Sequence, residues 1–323
     1  MNDVAIGIDV GGTKSLALLV ARDGRVLGEV TCPTPHDDQL APGEATTRVL
    51  AAQVIDLCEP LGLDPRAVPV GLGLPGMLRR DGLLTFAPNL PGATGAHLGA
   101  QLGAQLGGAL VVVDNDAHCA ALAEREWGAA RGVRDFVMVT LGTGIGGGIV
   151  SDDQLRRGRS GFAGEIGHMV VVARGAPCPC GGRGCWERYA SGGGLARLAR
   201  EAAGEGRPSS FDPDEVHPDA LRAEDVVARA RTGSPEALGL LAEMGWWLAL
   251  GLANLVAVLD CGHFVIGGGL SSAADLFVPA TRDALASLVE GYHARPEITV
   301  TTSHFGPRSG ALGATLVALE RRE

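Results

Sequence analysis

Lysine is almost absent from this 323-residue chain: Lys14 is the only one among 27 basic residues, and all the others are arginine. A GC-rich coding bias accounts for the general preference, yet the single exception falls inside the clearest motif of the chain. Long apolar runs are also missing. The longest, Trp246 to Leu259, is interrupted by Asn254 and is shorter than the ~20 residues a membrane span needs, so it reads as a buried helix and not as a membrane anchor. Excess positive charge is missing too. The net charge of −10 argues against a nucleic-acid partner held through many phosphate contacts. Seven cysteines make no even disulfide framework, and no basic-then-apolar leader opens the sequence; the expectation is a reducing cytoplasm.

What the chain does have is core and glycine. Hydrophobic residues make up 46% and the mean hydropathy is +0.18, enough for two ordinary domains or one large one. Forty-nine glycines gather in short clusters, which mark backbone that turns tightly or approaches a ligand closely. Val4, Ile6, Ile8 and Val10 alternate before one cluster, and Leu16, Leu18 and Val20 alternate after it, the period of two that a strand requires. The same plan recurs from Phe136 to Val150 around a second glycine loop. Two such hairpins predict a duplicated α/β domain. Between and beyond them, the pattern predicts helices at Glu44–Leu61, after Asp116 to Trp127, from Ser191, from Pro235 to about Leu259, from Ala274 and from Ser309. Strands are predicted at Val68–Leu74, Leu110–Val113, His263–Ile266 and Ile298–Thr301, and a solvated loop at Gly204–Asp219. Ser234-Pro235-Glu236 is a helix start with an N-cap hydroxyl and proline at the first helical position.

Four motifs carry chemistry. Asp9-Val-Gly-Gly-Thr-Lys14 is not a Walker A loop, which needs a longer glycine spacing and a following helix. A glycine turn between strands can still offer backbone N–H groups and the Thr13 hydroxyl to phosphate oxygens. Asp9, at the strand end, can hold the water shell of Mg2+, or serve only as a turn former. Leu141-Gly-Thr-Gly-Ile-Gly-Gly-Gly148 is a second such loop, and two loops gripping phosphates supply the positioning and charge neutralisation that phosphoryl transfer needs. Asp114-Asn115-Asp116 ends a strand, where open α/β sheets bind ligands. Asp116 can accept a proton from an attacking hydroxyl, and Asn115 can hold a neighbouring one; the alternative for Asp116 is a plain N-cap, and Asp114 is the most structural of the three.

The fourth motif is Glu165-Ile-Gly-His168 followed by Cys178, Cys180, Cys185 and Glu187. Three thiolates and an imidazole make a tetrahedral zinc set with no open position, so the metal is expected to be structural. Glu165 and Glu187 flank this knot and suit a polyol if the fold brings them together; as solvated surface acids they would have no role. Cys32, Cys58, Cys119 and Cys261 are isolated and read as small buried hydrophobes.

Taken together, Asp9–Lys14, Gly73-Leu-Pro-Gly76, Pro88-Asn-Leu-Pro-Gly92, Asn115-Asp116, Leu141–Gly148, Glu165–His168, Cys178–Glu187 and Ile266–Leu270 resemble the ROK family of sugar kinases and sugar-responsive repressors, most closely its ATP-dependent bacterial glucokinases. The blocks occur in family order and span almost the whole chain. The resemblance implies a duplicated actin-like, hexokinase-type ATPase fold with two domains around a central cleft. It implies Asp116 as base toward the sugar 6-hydroxyl, with Gly76, Asn89, Asn115, Glu165, His168 and Glu187 around the sugar. Asp9, Gly12, Thr13, Lys14, Thr143 and Gly144 correspond to its phosphate loops, and Gly267, Gly268 and Gly269 to the nucleotide end. Zinc would go to His168, Cys178, Cys180 and Cys185, and Mg2+ would accompany ATP. Family members are usually dimers or tetramers, and polyphosphate-using relatives generally lack the cysteine cluster, which favours ATP. His118, Cys119 and Ala93 depart from the family pattern without removing a reacting group.

The expected domains are a smaller one of residues 1–114 plus about 305–323 and a larger one of residues 115–304 carrying the zinc site. The expected activity is ATP-dependent phosphorylation of glucose; fructose, mannose, N-acetylmannosamine and N-acetylglucosamine are the alternatives. A second class is a non-catalytic sugar-binding regulator. Family repressors carry a helix-turn-helix module ahead of the Asp-x-Gly-Gly-Thr loop, which begins here at Asp9, and they tolerate loss of the base that Asp116 retains.

Overall fold

The computed structural model describes residues 4–35, 40–204 and 220–320. In chain order its elements are β1 (Val4–Val10), β2 (Lys14–Ala21), β3 (Val26–Pro33), α1 (Glu44–Cys58), β4 (Val70–Leu74), β5 (Met77–Leu78), β6 (Leu84–Phe86), α2 (Leu98–Gln105), β7 (Val111–Asn115) and α3 (Asp116–Glu126). There follow β8 (Phe136–Leu141), β9 (Ile145–Ser151), β10 (Gln154–Leu155), α4 (Glu187–Ala190), α5 (Gly192–Gly204), α6 (Ala223–Arg231), α7 (Pro235–Leu259), β11 (His263–Gly267), α8 (Ala274–Leu288), β12 (Thr299–Thr302) and α9 (Ser309–Glu320). The chain divides into two compact units. Unit 1 holds Met1–Arg134, Gly148–Gly164 and Pro307–Glu323, and unit 2 holds Asp135–Gly147 and Glu165–Gly306.

Unit 1 is built on a five-stranded sheet in the order β3-β2-β1-β4-β7. β1 pairs antiparallel with β2 and parallel with β4, and β4 runs parallel to β7. Alternation along β1 sends Ile6, Ile8 and Val10 into a core shared with Leu50, Val54 and Leu102 of α1 and α2. The opposite face of the sheet meets α9 through glycine. A Cβ at Gly7 would stand 2.0 Å from the Ala311 carbonyl oxygen, and one at Gly71 would stand 1.8 Å from that of Ala314. Only bare backbone lets the helix lie this close to the strands.

Unit 2 contains β8, which pairs parallel with β11, and β11 pairs parallel with β12. β9 follows β8 after the glycine turn, and Gly148 within it is where the chain passes to unit 1. The strand order β10-β9-β8-β11-β12 repeats β3-β2-β1-β4-β7 position by position, so the duplication expected from the two hairpins is present. α7 is the central helix of unit 2, started by Ser234, whose hydroxyl accepts from the Ala237 N–H. By length and apolarity α7 could cross a membrane. Its packing explains the composition otherwise: Gly251 admits the fully buried Trp186, whose Nε1–H donates to the Trp247 carbonyl at 2.7 Å.

The unit boundary differs from the expected 114/115 division. α3 stays with unit 1 because it packs on α9, where Gly313 lies against the Cys119 carbonyl. Residues 77–86, 98–105 and 223–231, to which the pattern assigns nothing, form the β5–β6 hairpin, α2 and α6. They are too short for a period to stand out. The loop expected at Gly204–Asp219 lies, after Gly204, outside the described residues.

Candidate active site

Unit 1 collects one group of the expected residues. The turn after β1 is closed by a Gly11 N–H donating to the Lys14 carbonyl at 3.0 Å and by the Thr34 hydroxyl donating to the Gly11 carbonyl at 2.7 Å. Thr13 and Lys14 are left exposed. Gly12 packs against Asn89, where a Cβ would meet the carbonyl oxygen at 2.7 Å. Asp9 points toward Gly310 at the start of α9, and any side chain there would stand 2.6 Å from its Oδ2. Burial, with Asp116 adding repulsion and Lys14 opposing both, raises the Asp9 carboxyl from an ordinary 3.8 to about 7. These two acids therefore share one electrostatic environment at the end of β1 and β7.

The end of β7 is organised by capping. Asn115 is the N-cap of α3, and its Oδ1 accepts from the N–H groups of Ala117 and His118 at 2.9 and 3.2 Å. Its Nδ2 donates to the Gly76 carbonyl at 3.3 Å, and Gly76 has a φ of 96°, open to glycine at little cost. Much of the Asn115 amide is thus spent on the fold: its acceptor is taken, and one N–H of its two remains for a ligand. Because Asn115 takes the cap, Asp116 does not. Asp116 is the first helical residue, half-buried, with Oδ1 accepting from the Ala117 N–H at 2.8 Å. Asp114 is buried and structural, as expected. Burial works to raise its carboxyl, but His118 and Arg157 outweigh this and hold it below the ordinary value.

Unit 2 collects the second group. His168, Cys178, Cys180 and Cys185 bring one ligand atom each to within 4.8 Å of one another. Two sulfurs each ~2.3 Å from a tetrahedral zinc stand ~3.8 Å apart; Cys180 and Cys185 Sγ are separated by 3.7 Å. His168 Nδ1 faces Cys178 Sγ at 3.9 Å, while Nε2 faces Glu165 Oε2 at 3.7 Å. Donor set and spacing both fit zinc. Burial and the adjacent Glu187 carboxylate push the Cys178 thiol up. Burial acts the same way on Cys180, but the Gly182 N–H and the two neighbouring cysteines outweigh it and lower that thiol.

Glu187 links the knot to the second glycine loop. Its Oε1 lies 3.0 Å from Cys178 Sγ, and a Cβ at Gly144 would stand 2.5 Å from its Oε2. Trp186, anchored on α7, fixes this segment from below. Ser191 and Gly193 hold the Thr143 carbonyl through a hydroxyl at 3.0 Å and an N–H at 3.1 Å, leaving the Thr143 side chain exposed. Gly268, with a φ of 79°, packs on the Leu141 backbone, so Gly267–Gly269 joins the same loop. Glu165, His168 and Glu187 are therefore gathered in unit 2, and Asp9, Gly12, Asn89, Asn115 and Asp116 in unit 1. A cavity of about 270 Å3 is lined by Arg79, Arg80, Asp114, Arg157 and Glu320 and includes none of the expected binding residues.

Two five-stranded sheets of the same order, each opening with a glycine-turn hairpin, define the actin-like ATPase class. The ROK family model matches residues 5–321, and the chain belongs to the ROK family. A glucokinase of Streptomyces coelicolor is 34% identical over 321 residues, with 98% of each chain covered. An N-acetylmannosamine kinase of Citrobacter koseri is 34% identical over 313 residues, covering 97% of this chain and 98% of its own. Among solved structures, a ROK family glucokinase from Streptomyces griseus in complex with glucose and AMPPNP superposes with a TM-score of 0.85 at 34% identity, covering 98% of this chain and 99% of that one.

Proposed function

We propose that this protein transfers the γ-phosphoryl group of ATP to the 6-hydroxyl of a hexose, with glucose the preferred substrate. The observation that carries the reading is Asp116. Asn115 relieves it of capping, and it stands at the strand end in the same electrostatic environment as Asp9. In this reading the sugar oxygen attacks the γ-phosphorus, its proton passes to the Asp116 carboxylate, and the bond to the β,γ-bridging oxygen breaks to release ADP. The Gly11–Lys14 turn and the Thr143–Gly144 loop bind the phosphates, with Gly267–Gly269 at the nucleotide end. Asp9 would hold Mg2+ accompanying ATP, and the ion would supply charge neutralisation on the phosphates.

Gly76, Asn89, Asn115, Glu165, His168 and Glu187 bind the sugar. Glu165 Oε2 stands 3.7 Å from His168 Nε2, so the two side chains face one another. His168, Cys178, Cys180 and Cys185 would hold a structural zinc. Support for glucose comes from the glucokinases at 34% identity and from the glucose in the Streptomyces griseus structure. The N-acetylmannosamine kinase at the same identity supports the main alternative.

We also infer a cytoplasmic homodimer or homotetramer without nucleic-acid or membrane partners. The net charge of −10 supports the former exclusion, and the core packing of α7 the latter. The test is steady-state kinetics with ATP and a panel of hexoses, by coupled ADP release, with zinc measured on the same sample. Glucose is expected to give the highest kcat/KM. Absence of turnover with every hexose would overturn the kinase reading in favour of a sugar-binding regulator.

A further inference from the structure

His118 is buried, 1% exposed, and is the third residue of α3. Both nitrogens of its ring are engaged. Nδ1 lies 3.0 Å from Asp114 Oδ1, and Nε2 lies 2.8 Å from the Ala163 carbonyl oxygen. The ring thus ties the end of β7 to a segment 45 residues away.

Asp114 is the hub of this contact. Its Oδ1 also accepts from the Asn115 N–H at 2.8 Å, and its Oδ2 receives Arg157 Nε at 2.7 Å. Burying a charge is costly unless it is paired and hydrogen-bonded; here one carboxylate serves Arg157, the His118 ring and a backbone amide. The segment on the far side is itself tied down. Ala163 N–H donates to the Arg157 carbonyl at 3.2 Å, and Arg80 N–H donates to the Ser160 carbonyl at 3.2 Å.

We propose that His118 acts as a positioning residue, latching the 157–164 segment to the strand end that presents Asn115 and Asp116. Through Asp114 it fixes the backbone immediately before the Asn115 cap. Through Ala163 it holds the end of the 157–164 segment. The proposal rests on Asp116 being the base.

In kinetics, His118→Leu is expected to lower kcat by about tenfold or more, in keeping with the cost of sub-ångström misplacement, with the hexose KM changed far less. His118→Asn, which retains a donor for Asp114, is expected to recover part of that loss. Wild-type kcat in the leucine variant would overturn the positioning role. No turnover in the parent would instead count against the kinase reading. If the leucine variant does not fold, the comparison of His118→Asn with wild type decides, and equal kcat between those two overturns the latch to Ala163.

Discussion

Asp116 and Asp9 show how position divides labour between two like residues. Asn115, not Asp116, caps α3, and Asp116 is the proposed base. Replacing it by asparagine keeps size and polarity but removes the proton acceptor. Asp116→Asn is expected to reduce kcat by about two to four orders of magnitude, the usual contribution of a general base, with hexose affinity near that of the parent. Calorimetric sugar binding alongside turnover checks this, and near-normal turnover would remove Asp116 from its role. Asp9 makes a prediction of a different kind. Burial raises its carboxyl from 3.8 to about 7. Between these values the folded protein holds a proton that the unfolded chain has released. Stability from Asp9 is therefore fully present below the lower value and is lost as pH rises through the upper one. From about pH 5 to about pH 8, wild-type Tm should fall relative to Asp9→Asn by an amount on the order of a few degrees. A difference independent of pH would mean that the carboxyl is not desolvated.

At the scale of elements, the Cys/His knot and the glycine contacts do the positioning. The knot has little secondary structure of its own around Cys178–Cys185, and Trp186 anchors it on α7. Structural zinc contributes folding free energy directly. Cys180→Ser is thus expected to fail through folding, with a markedly lower Tm and loss of about one zinc per chain by metal analysis. A metal-free variant as stable as the parent would refute a structural ion. Gly7 and Gly71 illustrate the opposite device, since their value lies in the absent side chain that lets α9 settle on β1 and β4. Element positions were largely legible from pattern: α8 and α9 start at the expected Ala274 and Ser309, and the α7 cap is the expected Ser234. The two-residue strand β5 and the short helices α2 and α6 were not, because one or two turns carry too little periodicity to rise above local composition.

For the whole molecule, the single lysine becomes an experimental handle. Lys14 is exposed in the first glycine turn and has no competitor elsewhere in the sequence. An amine-directed reagent should modify one side chain, inactivate the enzyme, and be slowed by ATP but not by hexose. Peptide mapping with residual activity measures all three, and modification without loss of activity would place Lys14 outside the phosphate site.

The sequence alone determined the two hairpins, the duplicated plan and the Cys/His cluster, because each is written in residues close together along the chain. Tertiary structure decided how those residues are used. The Asn115 amide goes to Gly76, 39 residues away, and Asp114 to Arg157, 43 residues away. Asp9 gains its unusual affinity for a proton only when folding removes water from it. Protonation and hydrogen-bond occupancy depend on partners and burial that local pattern does not encode, so His118 reads as an ordinary helical residue until the Ala163 carbonyl, 45 residues away, is set against its ring.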